Sequence, residues 1–222
     1  MANTERDGHR VAFNLAFNDK NINWHWDKNL YGELLKIAGG KERIEYYQEY
    51  FIGNNTLNER QIIELHATKT KHYLKLLQSG KIKLRNGIKR IVNQAQKNGI
   101  RLAIATTTTA INVTTLLNST LGNGAEKVFD VIAAGDVVVN KKPAPDIYKY
   151  TLTCLGLKAE ECVAFEDSSI GLTSAVAAGI KTIVVTNLYT KRQEFSNAEA
   201  VYTNFCDINT MTIKQLIGAY HV

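Results

Sequence analysis

ECVAFEDSSIGLTSAVAAGIKTIVV, residues 161–185, carries two short apolar runs on either side of a helical stretch. Cys162–Phe165 and Thr182–Val185 have the β-branched, apolar character of strands buried on both faces, and Ile170–Ala178 has helical spacing. Strand, helix and strand in this order predict a βαβ unit with parallel strands. Gly179 comes directly after the helix, where a left-handed residue closes its last turn. Working upstream, Arg101–Ala105 ending in Thr106 and Val128–Ala134 are two more apolar runs. Helical stretches Ile88–Gln96, Ala110–Leu121 and Asp146–Leu155 lie around them, with Gly99 and Gly156 at two of their ends. An α/β fold with a parallel sheet covered on both faces is expected.

Residues before Gly80 read differently. Val11, Leu15, Ala16 and Phe17 keep helical periodicity after Thr4, a cap residue by type. Leu30, Leu34, Leu35 and Ala38 make a second apolar face. Gly39-Gly40 interrupt the pattern before a helix over Lys41–Phe51, and a long amphipathic stretch runs from Leu57 to Leu77. A helical domain over 1–80 and an α/β domain over 81–222 are the expected organisation.

Composition sets outer limits. The chain has 222 residues, 45% hydrophobic and 22% charged, which excludes disordered and fibrous classes. No apolar run approaches the ~20 residues of a membrane helix, and the polar start is unlike a signal peptide. Three cysteines without CxxC spacing argue against a disulfide framework or a zinc site. The net charge of +6 is uneven: residues 1–80 hold 11 Lys/Arg against 10 Asp/Glu, and residues 81–222 hold 16 against 11. Basic residues are neither blocked together nor interleaved with aromatics, so either a solvated basic surface or a site for a small anion is expected, with no nucleic acid and no membrane. A cytoplasmic monomer is expected.

Ligands of open α/β sheets bind at the carboxyl ends of the strands. Thr106-Thr107-Thr108-Thr109 stands at one such end, where hydroxyls and free N–H groups can hold phosphate oxygens or simply cap a helix. Lys141-Lys142-Pro143-Ala144-Pro145-Asp146 contains both prolines of the chain, a stiff turn from which a lysine can be aimed. Glu166-Asp167-Ser168 stands at the end of a buried strand. Two adjacent acids there suit a hard cation such as Mg²⁺, unless Asp167 or Ser168 merely caps the next helix.

Threonine, lysine and an acidic pair, in that order at successive strand ends, resemble motifs II, III and IV of the haloacid dehalogenase superfamily. KKPAPDIY (141–148) and FEDSSIGLTSAVAAG (165–179) are similar to its phosphatase and phosphomutase branch. TERDGHRVAFN (4–14), GGKERI (39–44), LAIATTTT (102–109) and VIAAGDVV (131–138) look like the CbbY proteins of that branch. The resemblance implies a Rossmann-like core with a helical C1-type cap. It also implies a Mg²⁺-dependent phosphatase for a small phosphorylated sugar, such as xylulose 1,5-bisphosphate, in cytoplasm or plastid stroma. Thr106 and Thr107 would then hold the phosphoryl group, Lys142 would neutralise it, and Glu166 and Asp167 would bind Mg²⁺. Lys41 and Arg43 after the paired glycines would read the substrate, with Tyr31 and Glu5 in the same pocket. His9, at helical spacing from Glu5, faces either that cleft or the helical core.

Members of the family carry a buried strand ending in Asp-x-Asp-Gly-Thr, whose first Asp becomes an aspartyl phosphate and whose second moves protons. Residues 1–222 contain no such motif, and Met1-Ala2-Asn3-Thr4-Glu5 resembles the family's residues immediately C-terminal to it. The strand would be central in the sheet, so its two neighbours are expected to lack a ladder partner between them. Two alternatives stand: an enzyme whose nucleophile strand precedes Met1, or a related phosphate-binding protein that does no chemistry. A phosphomutase or phosphoglycolate-type phosphatase stands beside the first.

Overall fold

The computed structural model describes residues 1–37, 39–54 and 56–208. It contains two compact units: Ala2–Lys83, and Met1 together with the chain from Leu84 onward.

The first unit is helical: α1 (Arg10–Asp19), α2 (Lys28–Leu34), α3 (Gly40–Tyr47) and α4 (Glu59–Gln78). Its core is aromatic. Trp26 meets Phe13 and Phe17 with ring centroids 4.6 and 4.9 Å apart, and Tyr47 at 5.4 Å. Asn14 fixes the tryptophan by its backbone: Trp26 N donates to Asn14 Oδ1 at 2.8 Å, and Asn14 Nδ2 donates to Trp26 O at 2.9 Å. The buried face of α1 is therefore Ala12, Phe13, Ala16 and Phe17, while Leu15 is exposed. On α2 the buried residues are Tyr31 and Leu34; Ala38 lies outside the described residues.

Thr4 makes no cap. Thr4–His9 forms a π-helical turn preceded by Asn3, which makes no side-chain cap bond either. This turn packs Gly8 into the core, where a Cβ would stand 2.6 Å from Ile82 Cδ1 and 2.7 Å from Tyr73 Cε2. The helix expected over Lys41–Phe51 changes character too: α3 ends at Tyr47 and a π-helical turn covers Gln48–Ile52. α4 opens on a full capping box, Asn58 and Gln61 each bonding the other's backbone N–H.

The second unit is α/β. Its helices are α5 (Ile88–Lys97), α6 (Ala110–Leu121), α7 (Asp146–Leu155) and α8 (Ser169–Ala177). Its strands are β1 (Ala103–Thr106), β2 (Val131–Ala134), β3 (Val163–Glu166), β4 (Lys181–Val185) and β5 (Ala200–Tyr202), and every pairing is parallel. β1 pairs with β2, and β4 lies between β3 and β5. Among the described residues, β1 and β3 thus each have a ladder partner on one side only. Both faces are covered. Ile91, Val113, Leu117, Ile183 and Val185 share one apolar cluster, and Ala133, Ile147, Ala164 and Ala175 share the other.

β2 begins three residues later than the apolar run suggests. Ala125–Val128 is a 3₁₀ turn led by Gly124 at φ +80°. Asp130 then takes the N–H of Leu102 on its carboxylate at 3.1 Å and its own N–H goes to Leu102 O at 2.8 Å, so the ladder starts after it. The same bonds delay β1 to Ala103.

Two arginines staple the start of α5 to the far end of the unit. Arg85 donates to Val185 O, Thr186 O and Thr203 O at 2.8, 2.6 and 3.3 Å. Arg90 donates to Phe205 O, Cys206 O and Ile208 O at 3.1, 3.3 and 2.5 Å. Gly87 lets this segment approach: at φ +93°, its Cβ would stand 2.6 Å from the Phe205 carbonyl carbon. Gly87→Ala should therefore cost about 2 kcal/mol or more. A thermal melt should show Tm lower by about 4–8 °C; an unchanged Tm would mean that the α5 contact yields without strain.

Candidate active site

Lys142 and Glu166 meet at the carboxyl ends of β1 and β3. Lys142 Nζ donates to Glu166 Oε1 at 2.5 Å and to Ala105 O, one residue before Thr106, at 3.1 Å. Tyr148, in the first turn of α7, donates its phenol O–H to the same Glu166 oxygen, and its ring centroid lies 4.7 Å from the ammonium. The Lys142 and Glu166 side chains are only 14% and 10% exposed. In so dry a place removing one partner costs on the order of 3–5 kcal/mol, because the other charge is left uncompensated. Burial, reinforced by Glu166 and Asp167, pushes the Tyr148 phenol well above its usual pKa, so it remains a donor.

The adjacent acids diverge. Glu166 turns toward Lys142, while Asp167 Oδ2 accepts from Asn187 Nδ2 at 2.8 Å. Gly171, in the first turn of α8, holds the other side of Glu166: a Cβ there would be 2.0 Å from Oε2. Ser168 caps α8 by accepting from Gly171 N at 3.2 Å, so capping falls to the serine and leaves both carboxylates for other work. Asp167 and the Glu166 oxygen not engaged by Lys142 and Tyr148, Oε2, are hard donors of the kind Mg²⁺ takes, an ion that commonly binds one or two carboxylates and fills its shell with water and phosphate oxygens. Among the described residues no group of three or more His, Cys, Asp or Glu side chains gathers at a metal-binding spacing. Met1 lies beside these acids: its buried amino group feels Asp167, Arg85 and Glu166.

The threonines present an anion-binding turn. Thr106 Oγ1 accepts from Thr108 N at 3.2 Å, and Thr108 Oγ1 accepts from Asn112 Nδ2 at 3.0 Å. Thr107 is exposed. Thr109 precedes α6 without making a side-chain cap, which leaves the helix's first N–H groups for an incoming anion.

In the helical unit, Glu5, Tyr31 and Arg43 come together. Tyr31 Oη donates to Glu5 Oε2 at 2.7 Å, and Arg43 Nη1 donates to Tyr31 Oη at 3.1 Å. Arg43 is buried and gives its Nε to Leu34 O and its Nη2 to Ile37 O at 3.0 and 3.1 Å, which fixes the fork rather than leaving it loose. Lys41 is exposed and bonds none of them. Gly39, at φ +93°, carries the chain past Glu42, and a Cβ on Gly40 would stand 2.4 Å from His66 Nε2.

Lys69 joins this group from α4, a residue that the sequence does not single out. Its Nζ lies 2.9 Å from His9 Nδ1, and His9 stacks on Tyr73 with centroids 3.8 Å apart. Burial pulls Lys69 down to about 8, with Glu5 opposing and Arg43 adding to the shift. His9 falls well below its ordinary value, through burial first and then Lys69, Arg43 and His66, so it accepts the lysine proton as a neutral ring. One carboxylate thus faces two buried cations, an excess of positive charge that suits an anionic ligand. Nothing in sequence flags Lys69, because its partner His9 lies 60 residues away.

Residues 28–185 match the haloacid dehalogenase-like hydrolases, and the chain belongs to that family. Within it the chain is similar to the CbbY proteins. It is 41% identical over 216 residues to protein CbbY of Rhodobacter capsulatus, covering 97% of this chain and 94% of that one. It is also 40% identical to the CBBY-like protein of Arabidopsis thaliana, covering 91% of this chain and 65% of that one. CbbY of Rhodobacter sphaeroides, solved in complex with phosphate, superposes with a TM-score of 0.86 at 40% identity, over 96% of this chain and 94% of that one. A variant of the same protein in complex with xylulose-(1,5)bisphosphate gives 0.83 at 41% identity, over 94% and 92%.

This geometry makes two outcomes testable. Gly171→Ala should push the Glu166 carboxylate off Lys142 and weaken binding of inorganic phosphate, measured by calorimetry, by about tenfold or more; full affinity would show that the cradle yields. Lys69→Met should stabilise the protein at pH 7 by on the order of 2 kcal/mol, since the folded chain holds this ammonium below its unfolded pKa. The unfolded chain keeps that proton between pH 8 and 10.5, so the gain should shrink as pH rises through this window in paired melts. A constant difference would detach it from the lysine's charge.

Proposed function

We propose that the protein is a Mg²⁺-dependent phosphatase of a small sugar bisphosphate such as xylulose 1,5-bisphosphate. One observation carries the reading. A partly buried ammonium, Lys142, is fixed between the Ala105 carbonyl and Glu166, one residue from the Thr106 turn and beside a second carboxylate. A fixed cation and N–H donors at a parallel sheet's carboxyl edge stabilise the charge of a transferring phosphoryl group without reorganising. The two Rhodobacter sphaeroides complexes, with phosphate and with a sugar bisphosphate, support the same substrate class.

In this reading Thr106 and Thr107 orient the phosphoryl oxygens, and Lys142 neutralises them. Asp167, oriented by Asn187, and Glu166 would hold Mg²⁺. The metal, when bound, supplies positive charge for the phosphate and lowers repulsion toward an anionic nucleophile. Glu5, Tyr31, Lys41 and Arg43, with Lys69, form the candidate place for the second phosphate and the sugar hydroxyls.

The attacking carboxylate is not among residues 1–222, since no Asp-x-Asp-Gly-Thr occurs there. A strand carrying it would find partners in β1 and β3, each paired on one side only among the described residues, and Met1 already lies beside Asp167. Residues 1–222 alone should therefore bind phosphate and release none from a phosphomonoester. With an apolar strand ending in Asp-x-Asp-Gly-Thr joined before Met1, Mg²⁺-dependent release should appear, and Asn at the first Asp should abolish it while Tm is retained. If the extended protein binds phosphate but never turns over, the chain is a phosphate-binding relative and not an enzyme.

Substrate reach has its own test on the extended protein. Lys69→Met should lower kcat/KM for a sugar bisphosphate by about tenfold to a hundredfold, the value of one charge-assisted contact, and leave a simple aryl phosphate nearly unaffected. Equal losses on both substrates would remove the helical unit from recognition.

A further inference from the structure

We infer that Tyr148 is a positioning residue: its phenol holds Glu166 so that the Lys142 ammonium stays aimed at the strand ends. The inference rests on the phosphate site proposed above and assigns a role to a side chain given none there. Glu166 Oε1 is a shared acceptor, taking Lys142 Nζ at 2.5 Å and the Tyr148 hydroxyl together. Its Oε2 is hemmed in by the Gly171 backbone, so the carboxylate is restrained on both sides. Lys142 in turn has two strong acceptors, Glu166 and Ala105 O at 3.1 Å, and a third, loose one in the Tyr148 oxygen at 3.4 Å.

An ammonium has three N–H groups. Two are committed, and the geometry leaves the third as the one that an incoming phosphate oxygen can claim without breaking the ion pair. Without the phenol donor, Glu166 Oε1 would depend on Lys142 alone. The lysine's third N–H would then have no reason to keep its direction, because the carboxylate that sets it could rotate about its own side chain. The ring of Tyr148, 4.7 Å from Nζ, also packs on Lys142, so hydroxyl and ring roles have to be separated.

Tyr148→Phe makes that separation, keeping the ring and removing the hydroxyl. The readout is the ammonium proton–nitrogen resonance of Lys142, recognised by its absence in Lys142→Met, recorded on residues 1–222 without ligand and then with inorganic phosphate. In the parent chain a distinct, slowly exchanging Lys142 peak is expected. In Tyr148→Phe it should shift and exchange faster, phosphate affinity should fall about tenfold, and the backbone amide spectrum should stay the same away from the site. If Tyr148→Phe does not fold, the parent chain's Tyr148 hydroxyl proton serves instead: a slowly exchanging resonance that is lost or displaced in Glu166→Gln is expected, and its absence from the parent, or its persistence unchanged in Glu166→Gln, would overturn the inference. A Tyr148→Phe peak and phosphate affinity both equal to the parent's would overturn the inference and leave Tyr148 a packing residue. If Tyr148→Phe moves the peak while phosphate moves no lysine resonance, the positioning role stands and the phosphate-site reading falls.

Discussion

The Lys142–Glu166 ion pair is the constraint on which the α/β unit turns. It sits where two parallel sheets, β1–β2 and β3–β4–β5, bring their carboxyl ends within reach of one ammonium. Three distant segments converge on it: the end of β1, the proline-bounded turn before α7, and the end of β3. Because the pair is nearly dry, its geometry is stiff, and every neighbour inherits that stiffness. Gly171 has no side chain because Glu166 occupies the space, and Asp167 is free to face another way because its neighbour's charge is already matched.

The chemistry of the strand ends was legible in sequence because it is local. Threonine and the acid pair come directly after short apolar runs and the lysine heads a stiff turn, and in a parallel sheet every run delivers its last residue to one edge. The strands beginning at Ala103, Val131, Val163 and Lys181 were readable for the same reason. β5, only three residues long, left no periodicity to read. Val128 misled because its apolar side chain belongs to a 3₁₀ turn, and the competing Asp130 carboxylate acts across the fold on Leu102. The helical unit hid most. His9 and Lys69, or Asn14 and the Trp26 backbone, are pairs that only tertiary packing creates.

That unit also shows how binding chemistry competes with stability. Its core places Lys69 and Arg43 against aromatic rings with Glu5 as the one carboxylate bonded into the group among the described residues. The cation–π contacts at 4.9 and 5.4 Å soften the burial of the lysine but do not abolish it, as its lowered pKa records. A chain selected for stability alone would place apolar side chains there. The aromatic cluster around Trp26 is the compensating feature, a rigid apolar block that lets a polar cluster persist beside it.

Arg85 and Arg90 have an evolutionary meaning. Each gathers three main-chain carbonyls, and a carbonyl is the same whatever side chain it bears. The path of residues 203–208 is therefore held by two guanidinium groups elsewhere in the chain together with the buried Phe205 and Ile208, and not by its solvent-facing side chains. Thr203, Cys206 and Asp207, all solvent-facing, can drift in sequence while the backbone they belong to cannot move. Among relatives, positions 203, 206 and 207 should vary on the page while the stretch superposes closely in space, with its constancy recorded at positions 85, 90, 205 and 208.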